Sequence, residues 1–201
     1  GDFELDNIIK NSSNDVKGFL NVNKTDFGVL RLKDFGLTKL KLPSYGSGLI
    51  NLSLEESILL SSLKKKWRYY LKQGQKKSFK IESLQGYSDQ IELLLNKYEK
   101  LQEDKEFSGL SNSLISELAS QSSEDWGFSL FVANENDYLK DDDPLGMLVS
   151  VRHGDTATYL IGLTNNKGRS FQINYVLLWR AILHSKHVGC TWFDIGGLDS
   201  T

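Results

Sequence analysis

The order of elements in the second two-thirds of this chain predicts an α+β protein, a mixed sheet flanked by helices. From residue 77 the pattern reads strand, helix, helix, three strands, helix, strand. Gly154-Asp155 sits between two alternating runs, "LGMLVSVRH" and "TATYLIGL", which is a tight-hairpin signal. The segment 171–189, "FQINYVLLWRAILHSKHVG", is apolar nearly all round, as a helix buried on a sheet must be. Consecutive strands followed by a crossover helix and one more strand put antiparallel and parallel pairs in the same sheet.

The first fifty residues are short mixed segments. Alternation in "VLRLKDF" and "LTKLKL" predicts two short strands, and Pro43, Gly46 and Gly48 punctuate a loop after them. At residue 53 the period changes. Ser53 and Glu56 have the spacing of a capping box, and Leu54, Ile58, Leu59, Leu63, Trp67, Tyr70 and Leu71 recur as one helical stripe of some five turns, with Gly74 as its stop. A strand "SFKIESL" follows, then helices around 87–103 and 111–120. The strand "FSLFVAN", the turn "ENDYLKDDDP", the hairpin about Gly154-Asp155 and the loop "TNNKGRS" lead to the buried helix. Gly189 ends that helix, and "CTWFDIGG" is the last strand, parallel to its neighbour.

Composition narrows the function classes. The chain has 201 residues, 39% of them hydrophobic, and a net charge of −2, which gives no global argument for nucleic acid. No run approaches the roughly 20 apolar residues that span a bilayer. The opening "GDFELDNIIKNSSND" has neither a basic n-region nor an apolar h-region, so a signal peptide is not expected. Cys190 is the only cysteine, which suits a reducing, cytoplasmic setting. No Ser-His-Asp arrangement, phosphate-binding Walker loop or zinc-ligand spacing is present, so no metal is expected.

The charge is unevenly placed. Lys64, Lys65, Lys66, Arg68, Lys72, Lys76, Lys77 and Lys80 fall within 17 residues that hold no acid. Such a stripe neutralises phosphates on tRNA, a nucleotide-linked sugar or an anionic lipid surface, or it is simply a solvated helix face. Asp194, flanked by aromatic and aliphatic residues in a central strand, needs a partner. It orients an amine, acts as a base with raised pKa, or simply caps neighbouring backbone. Tyr159 is either a site phenol or a core aromatic. Gly196-Gly197 lets backbone approach a ligand or turn sharply.

Three stretches in order, "INLSLEESILLSSLKKKWRYYLKQGQKK", "TATYLIGLTNNKGRSFQINYVLLWRAI" and "GCTWFDIGGLD", resemble the Fem-type peptidoglycan aminoacyltransferases and the acyltransferase domains related to them. The resemblance covers residues 43–201 and implies the GNAT fold, commonly two units in tandem. On that basis residues 1–52 are expected to be the tail of a preceding GNAT-like unit and 53–201 a second unit. This unit lacks the strands that follow Gly-Gly in the family, including one that bears a functional lysine, so the chain is expected to be a fragment, inactive alone.

The resemblance also implies a mechanism. Two parallel strands, here "TYLIGL" and "WFDIGG", part to form a cleft whose backbone N–H groups polarise the acyl carbonyl, an oxyanion-type role. Donor phosphates would meet the turn "NNKGRS", with Lys167, Gly168 and Arg169. That turn departs from the family's coenzyme A pattern and leaves aminoacyl-tRNA or acyl-CoA as donor. Lys65 and Arg68 match the family's Lys-x-x-Arg helix, and Asn174, Tyr175 and Trp179 match its "N-Y-x-L-x-W" helix. Substrate binding is therefore expected at Arg68, Lys65, Lys167, Gly168, Arg169, Asn174, Tyr175, Trp179, Gly196 and Gly197, and catalysis at Asp194 and Tyr159.

The expected function is transfer of an acyl or aminoacyl group to an amine of a peptidoglycan or surface-glycan precursor, small or lipid-linked. The protein would then work in the cytoplasm, at the inner membrane surface. Two alternatives stand beside it, a coenzyme-A-dependent N-acetyltransferase of an amino sugar and a non-catalytic module for anionic ligands.

Overall fold

In a computed structural model, residues 46–121, 123, 125–135 and 143–198 are described. The chain divides into two units, 1–45 and 46–201, and every described residue lies in the second. The two short strands expected before residue 43 lie outside the described residues.

A six-stranded sheet organises this unit. Its strands are β1 (Gly46–Asn51), β2 (Lys80–Gln85), β3 (Trp126–Asn134), β4 (Gly146–His153), β5 (Thr156–Thr164) and β6 (Trp192–Leu198), in the spatial order β1-β6-β5-β4-β3-β2. All neighbours are antiparallel except β5 and β6. The helices are α1 (Glu56–Ser62), α2 (Lys65–Gln75), α3 (Gln90–Lys105), α4 (Asn112–Ser120), α5 (Asn166–Ser170) and α6 (Ile173–His187). The order expected from residue 77 is therefore the order found, with the short α5 added inside "TNNKGRS". Strand β1, which precedes the expected boundary at residue 52, hydrogen-bonds to β6 in the same sheet.

Period-2 alternation divides the strands between two cores. One face carries Phe131, Ala133, Leu148, Ala157 and Phe193 and packs on Leu59 of α1, Leu71 of α2 and the inner stripe of α6. The other carries Phe128, Leu130, Val132, Val149 and Ile161 and packs on Ile91 and Leu94 of α3 and Ile115 of α4. The sheet is thus the middle layer of three. The hairpin is as the sequence predicts: His153 pairs with Thr156, and Gly154, at φ +62°, supplies the left-handed turn residue.

The long helix expected from Ser53 is two helices. Ser53 is not its cap; α1 starts after Glu55, without a side-chain cap, and Leu54 and Ile58 lie exposed rather than on a buried stripe. The break falls at Leu63, which is extended (φ −68°, ψ 148°). Ser61 and Ser62 donate their hydroxyls to the carbonyls of Ile58 and Leu59 (2.9 and 2.7 Å), local bonding that competes with helix continuation. Arg68 Nη1 donates to the Ser61 carbonyl and so ties the end of α1 to α2. Gly74 does not stop α2, which runs to Gln75; a Cβ there would lie 2.6 Å from Val176 Cγ2 and 3.1 Å from the Phe171 carbonyl oxygen. Its missing side chain is what lets α2 reach α6.

Candidate active site

Strands β5 and β6 pair over three positions only: Thr156 with Trp192, Ala157 with Phe193, and Thr158 with Asp194. Beyond that level β5 runs on to Thr164 and β6 to Leu198 without pairing to each other. Each strand turns toward its outer neighbour through an irregularity. On β5, Ser150 of β4 pairs with Tyr159 and Val149 with Ile161, so Leu160 is an extra, bulged residue. On β6, the register against β1 shifts between Asp194 opposite Leu49 and Gly197 opposite Ser47. The result is a wedge whose β5 backbone has a ladder partner on one side only.

A cleft of about 490 Å³ occupies this wedge and continues to the first turn of α6. Tyr159, Gly162 and Thr164 of β5 line it, with Ile195 of β6 opposite and Arg169, Gln172, Asn174 and Tyr175 at its mouth. The first turn of α6, with the positive end of its dipole, therefore borders the cleft.

The bulge decides what faces the cleft. Leu160 and Ile161 both pack toward the α3/α4 core, whereas Tyr159 packs toward α6. Gly162 thereby returns to the face of Tyr159, whose phenol lies across it: a Cβ at Gly162 would sit 2.1 Å from the Tyr159 oxygen. Burial pushes the Tyr159 phenol above its ordinary value of 10.0, so it enters the cleft as a neutral hydroxyl.

Of the residues singled out in the sequence, Tyr159, Arg169, Asn174 and Tyr175 line the cleft. Arg169 is held by the Thr164 carbonyl (3.0 Å) and by Asn166 Oδ1. Tyr175 also packs against the α2 aromatics, 5.5 Å from Trp67 and 5.1 Å from Tyr70 between ring centroids. Gly196 and Gly197 stand on the β6 side of the wedge. Asp194 is the last residue of the shared ladder, and its Oδ1 accepts the Gly196 N–H (2.8 Å) and the Ser47 hydroxyl.

The others lie away from the cleft lining. Trp179 is 5% exposed in the core, edge-on to Trp67. Lys167 pairs with Glu135, and its ammonium lies 5.7 Å from the Phe171 ring centre. Gly168 is buried; its N–H donates to Asn165 Oδ1 (2.7 Å), and a Cβ would meet the Leu145 carbonyl oxygen at 1.8 Å. Lys65 is exposed in the first turn of α2. Arg68 is engaged with Ser61, as above.

Sequence reasoning missed Gly162, Gln172 and Ile195. An isolated glycine inside a strand signals close approach and would have found the first. Gln172, left-handed at φ +60° ahead of α6, carries no such signal. Cys190 is 5% exposed and burial pushes its thiol up, which leaves it a packing residue.

A family model described as the acetyltransferase (GNAT) domain matches residues 60–201. The chain belongs to that family. Among solved structures it is similar to FemX, with a TM-score of 0.62, 14% identity, and 77% of this chain and 54% of that one covered. It is also similar to the C-terminal domain of a protein from Agrobacterium fabrum described as a lysylphosphatidylglycerol synthetase, at TM-score 0.56 and 15% identity over 86% and 51% of the two chains. L-PGS from Bacillus licheniformis follows at TM-score 0.50 and 12% identity over 85% and 50%. The chain thus spans about half the length of these structures, and the likeness is one of fold: a GNAT domain of the kind found in FemX. No curated protein sequence matches it. Among the described residues no helix is long and apolar enough to cross a membrane.

Proposed function

We propose that this chain carries an acyl-transfer site, moving an aminoacyl group from an activated ester to an amine of a peptidoglycan or surface-glycan precursor. The observation that carries the reading is the parting of β5 and β6 after Thr158 and Asp194, which opens the cleft. In the transfer, the lone pair of a neutral amine attacks the acyl carbonyl carbon. The C–N bond forms, the ester C–O bond breaks, and the amine's proton leaves with the departing oxygen. Unpaired backbone donors along the wedge would polarise the carbonyl, and positioning supplies most of the acceleration. Tyr159, neutral and lying across Gly162, would donate to the departing oxygen.

Aminoacyl-tRNA is favoured over acyl-CoA as donor by the bonding inside residues 165–172. The N–H groups of Gly168, Arg169, Phe171 and Gln172 are all taken by oxygens of that segment, so they are not a ready cradle for a pyrophosphate. A lipid-linked acceptor would place the reaction at the inner membrane surface.

The test incubates the full-length protein with labelled aminoacyl-tRNA or acyl-CoA and with muropeptides or amino sugars as acceptors. Transfer from aminoacyl-tRNA is expected. Transfer only from acyl-CoA, with coenzyme A binding lost in Arg169→Ala, would reassign the donor. Salt-sensitive binding with no turnover for any pair would make the domain a binding module.

A further inference from the structure

We propose that Ser47 and Asp194 form a pin that holds the acyl cleft open, with Asp194 a positioning residue rather than the base. Three pairs set a parallel register between β5 and β6, and the next pair in that register would join Tyr159 to Ile195. Nothing in either side chain forbids it; both are ordinary strand residues. What intervenes is a local knot at the end of the shared ladder. Asp194 Oδ1 accepts the N–H of Gly196, two residues on, at 2.8 Å. Ser47 Oγ reaches both that same oxygen and the Gly196 carbonyl oxygen (3.0 Å), sharing its one proton between them.

Gly196 sits at φ +88°, a conformation that strand-forming side chains resist. The side chain of Asp194 thus substitutes for a ladder bond and bends β6 toward β1 at the level where β5 bulges toward β4. Ser47 is essential to the direction of the bend because it belongs to β1, the strand toward which β6 turns. It also lies outside residues 60–201, so the family domain borrows it from the preceding strand. Asp194 Oδ1, accepting from two donors on β6 and β1, fixes the orientation of the carboxylate.

The kinetic part of the test rests on the acyl-transfer reading; the exchange part does not. Amide hydrogen exchange, resolved at Gly196 by NMR, is compared in wild type, Asp194→Ala, Asp194→Asn and Ser47→Ala. Loss of the carboxylate acceptor should speed exchange at Gly196 in Asp194→Ala by about tenfold or more. Asparagine keeps an Oδ1 acceptor, so Asp194→Asn should restore protection at Gly196. It should also restore transfer to within about threefold of wild type, whereas a lost base costs about 100-fold or more. Ser47→Ala, which spares Asp194, should lower kcat and raise exchange by a smaller factor; it decides the matter if Asp194→Ala does not fold. Unchanged exchange at Gly196 in both alanine variants overturns the pin. So does a protected but inactive Asp194→Asn, which would make Asp194 the base. If wild type transfers nothing, exchange alone still decides.

Discussion

At Gly168 a Cβ would sit 1.8 Å from the carbonyl oxygen of Leu145. The obstacle is backbone, which cannot step aside as a side-chain tip can. Gly168→Ala is therefore expected to cost about 3 kcal/mol or more, at the top of the range of ordinary overpacking, or to displace α5. Urea unfolding followed by tryptophan fluorescence checks it; a change under about 0.5 kcal/mol, typical of neutral surface substitutions, would refute the contact. The glycine that the sequence offers as a phosphate contact therefore also carries a packing constraint. His184 gives a second prediction at this scale. Burial, then the charges of Arg180 and His187, holds its imidazole below the ordinary value of 6.5. Around it stand the Gln85 amide and the Ser129 hydroxyl (3.4 and 3.5 Å from Nε2) and the Phe131 ring. Below 6.5 the unfolded chain gains a proton that the folded chain refuses, so stability present above that pH is lost as pH falls through the lowered value. His184→Gln should flatten the stability profile between about pH 7 and 5; an unchanged slope would show that the imidazole titrates normally.

At the scale of elements, the packing of α2 on α6 turns on one missing methyl group. Gly74 meets Val176 Cγ2 at 2.6 Å once a Cβ is added, against two backbone carbonyls at 3.1 and 3.2 Å. In a helix interior Gly→Ala ordinarily gains about 0.8–1 kcal/mol. Here overpacking of about 1–3 kcal/mol should win, and Gly74→Ala should destabilise. In a Val176→Ala background the clash is largely gone, so the same substitution should be neutral or stabilising. That sign change, read from a thermal double-mutant cycle, is the check; additive effects would sink the argument. The same interface explains Tyr175 and Trp179. Both lie on the α2 side of α6 and take Trp67 between them, yet only Tyr175, half a turn from the helix start, also reaches the cleft.

Across the whole molecule, charge and cleft lie on adjoining elements. On α2 and the residue that follows it, Lys65, Tyr69, Lys72 and Lys76 recur at spacings of four, three and four and are all exposed, opposite the side that packs on α6. Just past the C-terminal end of α2, the Lys77 ammonium lies 5.4 Å from the Phe171 ring centre, a ring that Lys167 also approaches at 5.7 Å, and Arg169 lines the cleft. A polyanionic donor bound there should show affinity falling steeply with salt. Replacing Lys65, Lys72 and Lys76 by alanine should reduce the slope of log K against log salt for tRNA by about 2 to 3, one contact each. An unaltered slope would mean the stripe is only solvated.

Much of the fold is legible along the chain because its signals are local. The order from β2 to β6, the Gly154-Asp155 hairpin and the all-apolar α6 rest on periods and turn chemistry within a few residues. The split between α1 and α2 escaped because two serine hydroxyls and Arg68 satisfy backbone carbonyls that a stripe pattern does not see. The cleft itself was legible only as a consequence of family resemblance. Its walls depend on where the β5–β6 register stops, on a bulge that returns Gly162 to the face of Tyr159, and on Ser47, which meets Asp194 across 147 residues. Sequence alone determined the order from β2 to β6, since helix and strand periodicities are written into neighbouring residues, while β1, expected as a loop around Gly46 and Gly48, is a strand because it pairs with β6. Only the tertiary structure decided which side chains line the opening and which merely brace it, since pairing register and long-range hydrogen bonds exist nowhere until distant segments meet.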